Sequence, residues 1–75
     1  MKAQEIQDRL REALPGASIE VWELGNGEAD SFELRLLAPQ FQGKSLVQQH
    51  QMIYQILGDK MKDEIHALKI TSAAL

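Results

Sequence analysis

The spacing of apolar positions along this chain switches between a helical and a strand period, and the switches divide it into five elements. In residues 2–14, Ala3, Ile6, Leu10, Ala13 and Leu14 recur every three or four residues, one face of a 3.6-residue period. Glu5, Asp8, Arg9 and Arg11 occupy the rest, and Pro15-Gly16 stops the helix. Residues 17–24 alternate. Ile19 and Val21 face one way, and Ser18, Glu20 and Trp22 the other, as in a half-buried strand. "GNGEAD" is a turn built on two glycines and an Asn-Gly pair. Residues 31–38 alternate again, with Phe32, Leu34 and Leu36 inward and Glu33 and Arg35 outward, which predicts an antiparallel hairpin.

Pro39 ends the second strand, and Gly43 in "FQGK" permits a tight bend. Ser45 is the expected N-cap of a second helix over residues 46–62. Its apolar stripe is Leu46, Val47, His50, Ile53, Tyr54, Leu57 and Met61. Gly58 weakens that helix by about 1 kcal/mol relative to Ala and is the expected place for a bend. "KDE" leads into a last strand over residues 65–71. There His66, Leu68 and Ile70 share one face and Ala67, Lys69 and Thr71 the other, and "TSAAL" reads as a short tail.

Helix, strand, strand, helix, strand implies a two-layer α+β domain, with both helices on one face of a three-stranded mixed sheet. The last strand, placed beside the second after a crossover helix, runs parallel to it through a right-handed connection. The opposite sheet face then carries Glu20, Trp22, Glu33, Arg35 and Lys69 and is mostly solvated. Residues 1–75 read as one domain, with no repeat, linker or low-complexity segment.

Composition narrows the chemistry. With 44% hydrophobic residues the chain is too apolar for disorder, and 75 residues leave little surplus over chain entropy, so most apolar positions are structural. Zero cysteines exclude a disulfide framework, a thiolate zinc site and a self-contained iron–sulfur site. A net charge of -3 disfavours sequence-independent nucleic-acid binding, which depends on phosphate neutralisation by Lys and Arg. The charged start "MKAQEIQDRL" lacks an apolar signal core, and no apolar run reaches membrane-spanning length. A soluble cytoplasmic protein without membrane contact is the expectation.

Catalysis finds little support. There is no cysteine nucleophile and no Gly-rich phosphate loop. Helical spacing does not aim Ser45, His50 and Asp59 at one another, and Asp63-Glu64 reads as a solvated turn. No enzymatic activity is expected. The two histidines remain. Two imidazoles are too few for a closed zinc site, even if Asp63 or Glu64 adds an oxygen, and nothing in the spacing brings them together. His50, on the apolar stripe, reads as a packed, hydrogen-bonded core residue with a structural role. His66, at an element terminus after a charged turn, reads equally as an exposed and well-positioned side chain.

The run "FQGKSLVQQHQMIYQIL", followed after a short gap by "IHALKI", resembles the signature of the BolA-like family. There an F-x-G-K/M segment leads into a helix with a central histidine, and a strand opening with I/V-H-A follows. The resemblance extends over nearly the whole chain. It implies an α-β-β-α-β fold similar to a type II KH domain. It also implies partnership with a monothiol glutaredoxin. The residue matching the family's ligand is His66, a histidine donor to a [2Fe–2S] cluster shared with the glutaredoxin's cysteine and glutathione, in iron–sulfur assembly, trafficking or iron and redox sensing. Imidazole in place of thiolate on one iron is known from Rieske-type ligation. A cysteine-free chain contributes only to a cluster held jointly, so none is expected on the protein alone, as monomer or weak homodimer. The alternative implied role is DNA binding in transcriptional regulation, through Gly43, Lys44 and Ser45 of the "FQGKS" turn with Lys60 and Lys69. Lys62 also belongs to that cationic set. A third reading is an adaptor that binds a protein through the Trp22 sheet face.

Three departures from the family pattern qualify these expectations. The loop "GNGEAD" has neither the cysteine nor the histidine that many members carry there, and Glu28 and Asp30 offer only hard oxygen donors. The helix histidine is flanked by glutamines, "QQHQ", where basic residues are common. "ITSAAL" replaces a longer family end.

Overall fold

The computed structural model describes residues 2–24, 31–58 and 67–75. Helix α1 spans Ala3–Ala13 and buries Ile6 and Leu10. Glu5 in its first turn and Arg11 in its last complement the helix dipole. The chain leaves it at Leu14, whose N–H donates to the Leu10 carbonyl at 2.8 Å. It turns at Gly16, where φ is +84°. A Cβ at that position would meet only Pro39 Cγ at 3.8 Å, an ordinary contact, so the dihedral and not space selects glycine.

Strand β1, Ser18–Leu24, pairs antiparallel with β2, Ser31–Ala38, in the register Ile19↔Leu36 and Val21↔Leu34. Strand β3, Ala67–Ala74, lies parallel to β2 on its other side, with Leu34↔Ile70 and Leu36↔Ser72. The sheet order is β1-β2-β3, as the strand-by-strand reading implies. The inward positions Ile19, Phe32, Leu34, Leu36 and Ala38 form one core with Ile6, Leu10 and Leu14 on one helix and Ile53 and Leu57 on the other. Partly buried Val21, Leu68 and Ile70 extend it.

Four expectations need correction. Residues 72–74 are not a tail. β3 continues through Ala74, and the Leu75 N–H donates to the Ala38 carbonyl at 3.1 Å. Small residues with little strand preference extend the strand because β2 offers them a ladder. Pro39 does more than end the second strand: Pro39–Phe41 forms a single 3₁₀ turn that places Phe41 in the core, fully buried. The second helix, α2, spans Leu46–Leu57 and ends at Gly58, where φ is +60° and ψ is -136°. Gly58 terminates this helix instead of bending it. The expected continuation through residue 62, and the start of the last strand at 65 and 66, lie outside the described residues.

The last correction concerns which face of α2 is buried. The inward residues are Gln49, Ile53 and Leu57, with Met52 and Ile56 partly buried. Leu46, Val47 and Tyr54 are exposed, and His50 is half-buried. At about 100° per residue the helix is rotated roughly a quarter turn from the orientation its stripe suggests.

Candidate functional site

The strand registers give the sheet two distinct ends. At one, Ser31 opens β2 between Leu24, the last residue of β1, and Ala67, the first of β3. The connection 25–30 and the lead-in 59–66 both attach here. His66 immediately precedes Ala67 in the chain and lies outside the described residues, as do Glu28, Asp30, Asp59, Asp63 and Glu64. At the opposite end Leu37 pairs with both Ser18 and Ala73. Gln40 Nε2 donates to the Pro15 carbonyl at 2.9 Å, which ties the 3₁₀ turn to the α1–β1 connection there.

The "FQGKS" turn belongs to this second end. The Lys44 N–H donates to the Phe41 carbonyl at 3.1 Å, closing the turn over buried Phe41. Gly43 has φ +76° with open space where a Cβ would sit, so again the dihedral requires glycine. Ser45 and Gln48 form a reciprocal capping box. The Gln48 N–H donates to Ser45 Oγ at 3.2 Å, and the Ser45 N–H donates to Gln48 Oε1 at 2.9 Å. Gln49 then locks the turn to the sheet. Its Nε2 donates to the Lys44 carbonyl at 3.0 Å, and its Oε1 accepts from Ser72 Oγ at 2.8 Å. Gln49 and Ser72 are buried at 6% and 7% exposure, so each depends on these bonds for polar compensation.

The role expected of His50, ordering the helix beside the "FQGK" turn from the core side, is carried by its neighbour Gln49. Among the described residues the His50 side chain makes no hydrogen bond. Gln49 is absent from the apolar stripe read from the sequence, because a buried glutamine is recognisable only through its partners. Ser45 announced the cap, but nothing local announced that Ser72, 23 residues on, would satisfy Gln49.

The cations assigned to a nucleic-acid contact do not converge. Lys44 is exposed at the second end, whereas Lys69 is exposed on the open sheet face opposite Glu33. Lys69 pairs with Glu33, five residue steps or roughly 17 Å along β2 from Ala38, after which the chain leads into the "FQGKS" turn. Lys60 and Lys62 lie outside the described residues. The open face is mixed in charge. Arg35 stands 5.9 Å from the Trp22 ring centroid, and its Nη1 is 3.9 Å from Glu20 Oε1. Both partners of that ion pair are more than half exposed, so it contributes between about 0 and 1 kcal/mol. Glu20 and Glu33 on the same face oppose a phosphate backbone.

Among the described residues no three His, Cys, Asp or Glu side chains gather as a metal site. An open depression of ≈ 590 Å³ between the helices is lined by Arg9, Glu12, Ala13 and Ile56 and contains no histidine or hydroxyl nucleophile.

A helix, an antiparallel strand pair, a second helix and a strand parallel to β2 define a two-layer α-β-β-α-β domain. The chain belongs to the BolA-like protein family, whose model matches residues 5–74. It is similar to Protein BOLA2 of Arabidopsis thaliana, 36% identical over 70 residues that cover 93% of this chain and 74% of the relative. It is similar in structure to the BolA domain of SufE1 from the same plant, at 36% identity and a TM-score of 0.83, covering 96% of this chain and 90% of that domain. The match to the whole SufE-like protein 1 spans 13% of its length. Yeast Fra2 in solution has the same fold, with a TM-score of 0.80 at 25% identity over 99% of this chain and 80% of that one. No described helix is long and apolar enough to cross a membrane.

Proposed function

We propose that this protein is a non-catalytic partner of a monothiol glutaredoxin and that His66 is its ligand to a [2Fe–2S] cluster held between the two. The observation that carries this reading is membership of the BolA-like family over a range that includes "IHAL". The donor set agrees with it. A chain with no cysteine has an imidazole to give and no thiolate, so the remaining ligands come from the glutaredoxin cysteine and glutathione. The cluster supplies electron storage and transferable iron and sulfide. This chain's part is to present one neutral nitrogen from the segment entering β3. With neither Cys nor His in residues 25–30, His66 acts without a second nitrogen or sulfur ligand from that loop.

The test is anaerobic co-purification with a monothiol glutaredoxin, followed by absorption and EPR spectra of wild type and His66→Ala. The substitution changes the donor at one iron and the charge of the cluster, so the EPR signal and reduction potential should both move. Imidazole ligates only when neutral and titrates near ~6.5 when free. Ligation by His66 is therefore present above that range and lost as pH falls through it, and His66→Ala should flatten the dependence. The same spectrum, potential and pH profile in both proteins would remove His66 as the ligand.

A further inference from the structure

The two edges of the sheet are unequally protected. β1 carries two carboxylates, Glu20 and Glu23, and α1 packs over it. β3 carries a single charge, Lys69, and no proline. Its register against β2 is unbroken from Ala67 to Ala74, so no bulge turns the edge away. Among the described residues no strand lies on its outer side. About half of its N–H and C=O groups therefore face outward, along roughly 26 Å of strand. A second feature borders the same edge. α2 packs on β3, and the depressions between α2 and α1 are lined by Met52 and Ile56. At about 100° per residue, Val47, His50 and Tyr54 lie roughly 120–180° around the helix from those two, on the flank away from α1. Because α1 covers β1, that flank overhangs the outer edge of β3. Val47 and Tyr54 are 66% and 43% exposed there, and His50 is half-buried. Beneath them the inward-facing Leu68 and Ile70 of β3 are only partly buried.

We propose that β3 accepts an extended segment of another protein as an added strand, whose inward side chains enter the gutter between the β3 edge and the outer flank of α2. The occupant is a strand because extended backbone is what pairs with an outward row of N–H and C=O groups. Its inward side chains complete the cover of Leu68 and Ile70 and meet Tyr54. Its sequence alternates accordingly, with apolar residues on the side facing α2 and an Asp or Glu on the other side, opposite Lys69. The segment runs antiparallel to β3, the slightly stronger pairing. Binding involves neither iron nor His66 and is independent of the glutaredoxin role.

The test uses the full chain and a displayed library of random linear twelve-residue peptides. Binders should converge on alternating apolar residues with one central acid. The consensus, made as a synthetic peptide, should bind Tyr54→Glu about tenfold more weakly, because that carboxylate loses water against apolar side chains. It should bind Lys69→Glu about fivefold more weakly, and replacing the peptide's acid by lysine should restore the affinity of that variant. Both positions are exposed, so unchanged melting curves establish that the variants fold. N-methylation of the peptide, one residue at a time, reads the backbone. Methyl groups at every second residue should abolish binding, and those between should change it little, because only alternate N–H groups face β3. A library that yields no binder, N-methyl losses without alternation, or affinity indifferent to both substitutions overturns the proposal. So does self-association of the free chain that Tyr54→Glu and Lys69→Glu abolish, which would make a second copy the occupant.

Discussion

Adjacent residues on one helix, His50 and Gln49, exchange the roles their chemistry suggests. His50 falls on the helical period of the apolar residues, and Gln49 falls off it. In the fold Gln49 is buried and bonded at both ends of its amide, while His50 is half-buried without a hydrogen bond among the described residues. Gln49→Ala should therefore be the costly substitution. It leaves the Lys44 carbonyl and the Ser72 hydroxyl without their partner and opens a small cavity, a loss of about 2–3 kcal/mol. His50→Ala should cost less than about 1 kcal/mol, as partly exposed positions usually do. Urea unfolding of the two variants side by side measures the difference. An equal loss in both would mean that His50 has a partner in the folded protein.

Element boundaries follow the strength of local signals. β2 begins and ends where alternation and Pro39 predict, and α2 begins at the expected cap, because a serine N-cap with glutamine three residues on acts through neighbouring backbone alone. The far end of α2 is different. Gly58 inside an apolar period reads as a weak point, yet its backbone at φ +60° and ψ -136° closes the helix one turn earlier than the pattern does. An alanine there occupies a region that L-residues avoid. Gly58→Ala should destabilise by about 1–3 kcal/mol, visible as a lower denaturation midpoint with an unchanged slope. A neutral or stabilising effect would show that the helix can run on through residue 58, since alanine in a helix is favoured over glycine.

At the scale of the whole molecule, β3 and the "FQGK" turn hold each other in place. β3 completes the sheet, and Ser72 near its end satisfies Gln49, which fastens the turn. Ending the chain after Thr71 removes three β2 pairs, Leu36↔Ser72, Leu37↔Ala73 and Ala38↔Ala74, along with that buried bond. The expected loss is about 3 kcal/mol or more, a large share of the stability of a domain this small. A thermal melt of the shortened protein would distinguish this from the tail reading, under which it would unfold like the full chain.

Patterns carried by contiguous residues were sufficient for the five-element order, the antiparallel hairpin with Phe32, Leu34 and Leu36 inward, the cap at Ser45 and the α+β class. Each is a local property, since side-chain period, proline and glycine dihedrals and capping act over a few residues. "IHAL" within the family pattern was likewise legible as a motif and singles out His66. Only the tertiary structure decided which of two apolar stripes on α2 meets the core. Both are helical in period, and the choice rests on long-range partners: the Ser72 hydroxyl for Gln49 and a β2 edge that draws residues 72–74 into the sheet. Tertiary placement also separated Lys44 from Lys69, which a list of cations had grouped together. A periodicity states that a helix has an apolar side. Which side is buried depends on the volume and hydrogen-bonding groups that the rest of the chain presents to it, and those are set by residues far away in sequence.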